Sequence, residues 1–177
     1  MVNKNVKCLP DYVFDRPYEE YVFTWADNLL TDIGFDSIMK VYCSILMEKQ
    51  ETHFTIYEVP ENGTDLFLLG NFEVSENMVT DIKKNLIEAT FHGIQYYYTA
   101  ACMQAYFISE PQHMCVYWER DLEAMIIGCT KEIAAKFREG GGELINSLEG
   151  YINMVDNYNR PKGLPNWIKK KLRANYG

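Results

Sequence analysis

The chain has 177 residues, a length that predicts one globular domain over residues 1–177, and its 47% of hydrophobic residues excludes wholesale disorder. Its formal net charge is −8, but six basic residues and no acidic residue follow position 159, so residues 1–159 carry a charge of −14. A body of that charge repels nucleic-acid phosphate and attracts cationic partners, although acidity also serves solubility alone.

The first predicted element is a helix from Pro17 to about Thr31. Proline suits the first helical position, two glutamates after it complement the positive helix start, and Gly34 is placed to end the helix. Residues 38–48 fit both a helix and a strand, because apolar residues recur there at both spacings. We favour a strand, since the alternating pattern leads directly into a segment rich in β-branched and aromatic residues.

Two further strands and a helix follow. One strand covers His53–Val59, a turn that contains Asn-Gly covers 60–65, and Leu66–Phe72 completes a predicted meander of three strands. Ser75 is placed to cap the next helix, which has an apolar inner face. The inner-face residues are Met78, Val79, Ile82, Leu86 and Ile87.

The second half of the chain predicts three more strands and then three helices. The strands are Ala105–Ser109, Met114–Glu119 and Leu122–Cys129. The helices run from Thr130 to Arg138, from about Glu143 to Val155 and from Pro165 through Arg173, and the last one, at about 165–174, is basic. This order predicts an α+β fold, in which an antiparallel sheet of about five or six strands is covered by helices and the C-terminal third is helical.

The cysteine pattern and the hydropathy predict a cytoplasmic protein. The five cysteines are widely spaced and form no CxxC pair, which is typical of reduced thiols. The N-terminus has no apolar stretch of the kind found in secretory signals, and no run of about 18 apolar residues predicts a membrane span. We therefore expect no association with a membrane.

No catalytic, metal-binding or cofactor motif is recognisable in the sequence. The three histidines, His53, His92 and His113, are scattered, and GxSxG, P-loop and GxGxxG patterns are absent. His113 and Cys115 are two residues apart, but a nucleophile pair also needs an orienting group, and a core cysteine beside a turn histidine is the simpler interpretation. We expect no enzyme, no cofactor and no metal site.

Two acidic segments with neighbouring aromatic residues are the candidate partner-binding sites. Three interpretations stay open for them: solvated edges, a docking face for a basic partner, and a catalytic or magnesium site. Charge reversal at four of these positions, Asp15, Glu19, Glu119 and Asp121, is predicted to weaken partner binding at least about tenfold and to leave the fold intact. The candidate residues are Asp11, Asp15, Glu19 and Glu20 in the first segment, and Trp118, Glu119, Asp121 and Glu123 in the second.

The stretch from Tyr106 to Glu110, together with Met114–Gly128, resembles a hairpin of bacterial toxin-immunity proteins, in which a strand ends in an aromatic and charged turn before a second apolar strand. The small, acidic, tyrosine-rich α+β composition is similar too. The resemblance implies a cytoplasmic inhibitor that binds a cognate toxin, often a nuclease, and blocks its active site. We therefore predict a specific protein-binding protein that neutralises a basic toxin. The alternatives are a small carboxylate-dependent hydrolase or transferase, and a phage or mobile-element structural subunit.

Overall fold

The computed structural model describes residues 9–26, 32–59, 66–87, 89–91, 94–96, 104–110, 113–159 and 163–177. The strands in these ranges are β1 (Glu20–Trp25), β2 (His53–Glu58), β3 (Phe67–Glu73), β4 (Ala89–Phe91), β5 (Ile94–Tyr96), β6 (Gln104–Glu110), β7 (Cys115–Glu119) and β8 (Ala124–Cys129). The α-helices are α1 (Asp32–Glu48), α2 (Met78–Ile87), α3 (Lys131–Gly141), α4 (Leu148–Met154) and α5 (Asn166–Tyr176).

Six of the strands form one sheet in the order β1-β8-β7-β6-β2-β3, and β4 and β5 form a separate hairpin. Every neighbouring pair in the large sheet is antiparallel. The predicted α+β fold, with an antiparallel sheet and a helical C-terminal third, is therefore confirmed. Among the described strands, the first in the chain pairs with the last, so the sheet is completed only after residue 124 has been made.

Helices cover the sheet on both faces, which gives two hydrophobic cores. One core lies between the sheet and α1, α2 and α3, and the other lies between the sheet, the N-terminal segment (residues 9–19), α4 and α5. β7 and β8 are in the middle of this arrangement, and all of their residues are buried. This double burial explains why both strands read as nearly continuous apolar runs in the sequence.

The predicted helix Pro17–Thr31 is wrong, because residues 20–25 form β1. Val22 faces the core under α1, whereas its neighbour Phe23 faces the other core. A segment that buries consecutive side chains on opposite sides of a sheet is a strand, whatever helical spacing its aromatic residues also show. Gly34 does not end a helix either, since it lies in the first turn of α1.

The predicted strand at 38–48 is also wrong, because these residues lie in α1. The residues of this stretch that face the core are Ile38, Met39, Tyr42, Cys43, Ile45 and Leu46, which follow helical spacing. The predicted three-stranded meander is therefore wrong as well. β2 pairs with β3 on one side, and its other neighbour is β6 from much later in the chain.

The remaining strands and the C-terminal helices agree with the sequence predictions. Thr130 caps α3, since its Oγ1 accepts a hydrogen bond from Ile133 N at 3.3 Å. The helix predicted to start near Glu143 instead starts at Leu148, after Asn146 has paired with Phe23 of β1. The turn predicted at 60–65 lies outside the described residues. Within the described ranges, no helix combines the length and the apolar character needed to cross a bilayer.

Candidate partner-binding surface

Hydrogen bonds fasten the N-terminal segment to α5 and to the sheet. The Tyr176 hydroxyl donates to Asp11 O at 2.7 Å and accepts from Val13 N at 3.0 Å. From the sheet, the Tyr106 hydroxyl donates to Val13 O at 2.9 Å. These contacts hold Asp11 and the exposed Asp15 in place relative to the body of the domain.

Glu19 and Glu20 contact α3 rather than standing apart from the body. Glu19 Oε2 accepts a hydrogen bond from Lys131 N at 3.1 Å, where a carboxylate complements the positive start of the helix. Glu20 forms an ion pair with Arg138 of the same helix. Both carboxylates therefore have an intramolecular role that the sequence did not indicate.

Trp118 and Glu119 are interior residues, with only 1% and 2% of their surface exposed. The expectation that they form part of a surface is wrong, because helices and the N-terminal segment cover β7 on both faces. Glu119 Oε2 accepts hydrogen bonds from Leu9 N and from the Tyr117 hydroxyl, each at 2.7 Å. Charge reversal at Glu119 would place an ammonium group in this interior, so the expectation of an intact fold is wrong for that position.

Burial raises the pKa of the Glu119 carboxyl from 4.5 to about 7. The hydrogen bonds from Tyr117 and Leu9 act in the opposite direction, since they favour the ionised form, and the nearby charge of Asp121 favours the neutral form. Near pH 7, the carboxyl that accepts the hydrogen bond from Leu9 is therefore only partly ionised.

The N-terminal segment contacts the second predicted acidic segment where Leu9 donates to Glu119, but Glu19 and Glu20 of the first lie far from it. Glu20 pairs with Cys129, whereas Trp25 pairs with Ala124, so they lie at opposite ends of β1 and β8. At the rise of an extended strand, these two ends are about 17 Å apart. Glu19 and Glu20 therefore do not share a surface with the turn that joins β7 to β8.

That turn shares its end of the sheet with the start of β3 and the end of β2, where Glu58 pairs with Phe67. Phe67 and Leu68 are exposed over 59% and 54% of their surface. Two of the four exposed large hydrophobic side chains in the described residues are thus at this end; the others are Met47 and Trp167. We call this region the turn-end surface, and its residues are Trp25, Glu58, Phe67, Leu68, Asp121 and Glu123.

Two predicted residues, Asp121 and Glu123, lie on the turn-end surface. Asp121 is exposed, and Glu123 is half-buried with its backbone in the left-handed region at φ 55°. Glu123 Oε2 accepts a hydrogen bond from Trp25 Nε1 at 3.3 Å, so a carboxylate and an aromatic ring are held side by side. Trp25, Phe67 and Leu68 were missed by sequence reasoning, because only the pairing of β1 and β3 into the sheet brings them to this end.

The negative charge of the chain is concentrated in residues 50–119, but the described acidic residues of this stretch are spread over the sheet: Glu58 lies on the turn-end surface, whereas Glu73 and Glu110 lie at the opposite end. Residues 50–119 contain ten acidic residues and only two basic ones, Lys83 and Lys84, a net charge of −8. Residues 120–177, by contrast, carry ten basic and seven acidic residues. Counting charge along the sequence in smaller windows would have found this concentration.

Three of the four basic residues of the C-terminal helix form ion pairs with other residues that the structure describes. Lys171 pairs with Asp11, Lys169 pairs with Asp156, and Arg173 makes two hydrogen bonds to Glu149, at 2.6 and 2.7 Å. These contacts attach α5 to the N-terminal segment and to α4. The basic residues therefore stabilise the packing of α5, as expected for cations that find carboxylates on neighbouring elements.

A second polar arrangement lies at the opposite end of the sheet. His113 Nδ1 is 2.6 Å from Oε1 of Glu51, whose side chain is fully buried while the histidine is partly exposed. Tyr42 and Ser109 are buried nearby, and Oε2 of Glu51 is buried without a hydrogen-bond partner in the described part of the chain. A carboxylate that orients a histidine is the geometry of a general base, but the two described grooves, of about 420 and 320 Å³ beside α1, are lined by other residues.

Removal of the His113 side chain is expected to lower the free energy of unfolding by about 2 kcal/mol, because it leaves the buried Glu51 carboxylate with one partner fewer. Urea unfolding of His113→Ala, Glu51→Gln and the double variant measures the coupling between the two side chains. The double variant should lose less than the sum of the single losses. Strict additivity would show that the contact contributes nothing to stability.

The described residues offer no ready metal site. Within them, no three histidine, cysteine, aspartate or glutamate side chains come together in a group that could hold a metal ion. The carboxylates of the turn-end surface are instead distributed among the ends of three strands. That distribution suits contact with a broad cationic surface better than the coordination of a single ion.

Comparisons with known proteins assign no family to the chain. No protein-family model and no curated protein matches the sequence, and no solved structure matches the fold. The similarity to toxin-immunity proteins therefore stays a prediction that rests on the residues quoted for it.

Proposed function

We propose that the chain is a specific protein-binding protein whose partner is basic and docks on the turn-end surface. The observation that supports this proposal is that carboxylates and exposed apolar side chains share one end of the sheet: Glu58 is the cross-strand neighbour of the exposed Phe67, and the exposed Asp121 lies in the turn at the same end. Carboxylates steer a cationic partner and orient it, whereas desolvated aromatic and aliphatic side chains hold the complex together. Neither property alone would distinguish a docking surface from an ordinary solvated one.

Within this class, we propose an immunity protein that neutralises a cognate toxin acting on nucleic acid. An active site that holds nucleic-acid phosphate is cationic, so an inhibitor that presents carboxylates competes for the same groups. Asp121 and Glu123 are placed for this role beside Trp25. The hairpin that resembles immunity proteins contains both of these carboxylates.

The roles proposed for the other predicted carboxylates differ with their positions. Asp15 is exposed on the N-terminal segment and Asp11 forms an ion pair with Lys171, so both are left out of the proposed surface. Glu19 and Glu20 serve α3 and are left out of the proposed surface. Trp118 and Glu119 are buried in the strand that leads into the turn, and they are not proposed to contact the partner.

The double variant Glu58→Lys/Asp121→Lys is expected to weaken binding of the basic partner at least about tenfold at low salt, because both carboxylates belong to the turn-end surface and face a cation in the complex. The control is Glu139→Lys/Glu143→Lys, which makes the same change in net charge at exposed positions at the end of α3. The partner is captured at low ionic strength on the immobilised chain, and its affinity is then measured at several salt concentrations.

Equal losses in the two double variants would mean that only net charge matters, and the docking surface would be contradicted. Capture of no basic protein at low salt would contradict the protein-binding function itself. The immunity role has its own readout: cells that express the captured partner should survive only when they also express this chain. Survival without the chain would leave a binding protein that is not an inhibitor.

A further inference from the structure

We infer that the partner binds by strand addition, in which a cationic, extended segment of the partner pairs with the outer edge of β3. This inference rests on the proposed function, since it names how the turn-end surface takes its partner. It goes beyond that function by assigning the backbone of one strand, rather than side chains alone, as the recognition element.

The outer edge of β3 has no pairing strand among the residues that the structure describes. β3 is the last strand of the sheet, and among the described strands it pairs only with β2. Phe67 and Leu68 are consecutive, so their side chains point to opposite faces of the sheet, yet both are more than half exposed. The helical layers therefore leave both faces open at this end of β3, and an added strand gains apolar contacts on either face.

The negative charge around β3 favours the binding of a basic strand. Residues 50–82 contain seven acidic residues and no lysine or arginine. Glu58 is the cross-strand neighbour of Phe67, and the exposed Glu73 ends β3. A segment in which lysine or arginine alternates with apolar residues matches this edge, because backbone pairing brings its charges within reach of Glu58 on one face and its apolar side chains onto Leu68 on the other.

A second copy of this chain is a poor occupant of the same edge. It would bring Glu58 and Glu73 of a second edge towards the same two carboxylates of the first, and like charges on paired strands repel each other. The register of β2 and β3 also shifts between Ile56 and Tyr57, which leaves Leu69 as a bulge. Charges and bulges are the devices by which sheet edges avoid pairing with their own kind, so the geometry points to a cationic strand from another protein.

A short synthetic peptide of alternating lysine and valine tests the inference without the natural partner. It should bind the wild-type chain more tightly than a glutamate–valine peptide does, and it should slow amide hydrogen exchange within Gly70–Glu73. Phe67→Ser/Leu68→Ser should weaken this binding at least about fivefold, because the apolar contacts are lost. Trp167→Ser is the matched control, since Trp167 is equally exposed but lies on α5.

Backbone pairing is separated from simple charge attraction by methylating alternate amide nitrogens of the lysine–valine peptide, in either of two frames. The frame whose methyl groups face β3 should abolish binding, and the other frame should retain it. Equal binding of both frames, or protection of amides outside β3, would overturn strand addition. If the captured natural partner binds wild type and Phe67→Ser/Leu68→Ser equally well, strand addition fails while the protein-binding function stands.

Discussion

The free energy of unfolding is expected to fall by up to about 3 kcal/mol between pH 4.5 and pH 7 because of one carboxyl group, that of Glu119. Burial raises its pKa to about 7 in the folded protein, so the folded state holds a proton that the unfolded state has released. Below pH 4.5, Glu119 is protonated in both the folded and the unfolded state, and the folded state keeps the full stability. As the pH rises through 7, the folded state must ionise a buried group, and above that range the loss is complete.

Glu119→Gln is the variant that isolates this contribution. The amide oxygen can still accept hydrogen bonds from Leu9 N and the Tyr117 hydroxyl, but the side chain no longer titrates. We expect urea unfolding from pH 4.5 to pH 8 to show that the wild type loses stability relative to Glu119→Gln as the pH rises. Other groups titrate in both proteins and cancel in this difference, so parallel stability curves would contradict a raised pKa at Glu119.

The sequence predicted most strands because their burial has a strong local signature. β7 and β8 are buried on both faces, so their apolar runs are short and continuous, whereas the buried residues of β2 alternate with more exposed ones. α1 shows where this reasoning ends. Its apolar residues also alternate over 38–48, and only the packing of the helix against the sheet and α3 decides between the two periods.

The prediction of a helix in place of β1 was wrong for a related reason. Proline and the glutamates beside it read as a helix start, but Glu19 serves the start of α3 and Glu20 pairs with Arg138, both more than 100 residues away in the chain. A local capping rule has no means of seeing such a partner. Long-range pairing with β8 therefore overrode the local preference.

The sequence predicted that the candidate site contains an acidic turn, but it did not predict which residues share the surface of that turn. An acidic turn after an aromatic strand was correctly located between β7 and β8. Whether Trp118 and Glu119 face water depends on two elements distant in sequence, the helices on one face and Leu9 on the other. The neighbours that do share the turn end, Phe67 and Glu58, come from strands that join the sheet through β6.

Trp118→Ala is expected to lower the free energy of unfolding by about 3–5 kcal/mol. The side chain is 1% exposed and lies in the core between the sheet and α1–α3, with Ala105 and Met125 as its cross-strand neighbours. The alanine variant therefore leaves a cavity the size of an indole ring. Trp118→Phe should lose only about 1–2 kcal/mol, because phenylalanine refills much of the space and removes an indole N–H that has no partner among the described residues.

The same experiment decides whether Trp118 is a core residue or a contact residue for the partner. If it belongs to the core, Trp118→Ala lowers the urea midpoint strongly, while the folded fraction of the variant still binds the captured partner with wild-type affinity. Trp167→Ala supplies the scale, since an exposed tryptophan on α5 should change stability by no more than about 0.5 kcal/mol. A Trp118→Ala variant with normal stability and lost affinity would instead return Trp118 to the binding surface, and it would show that β7 is uncovered when the partner docks.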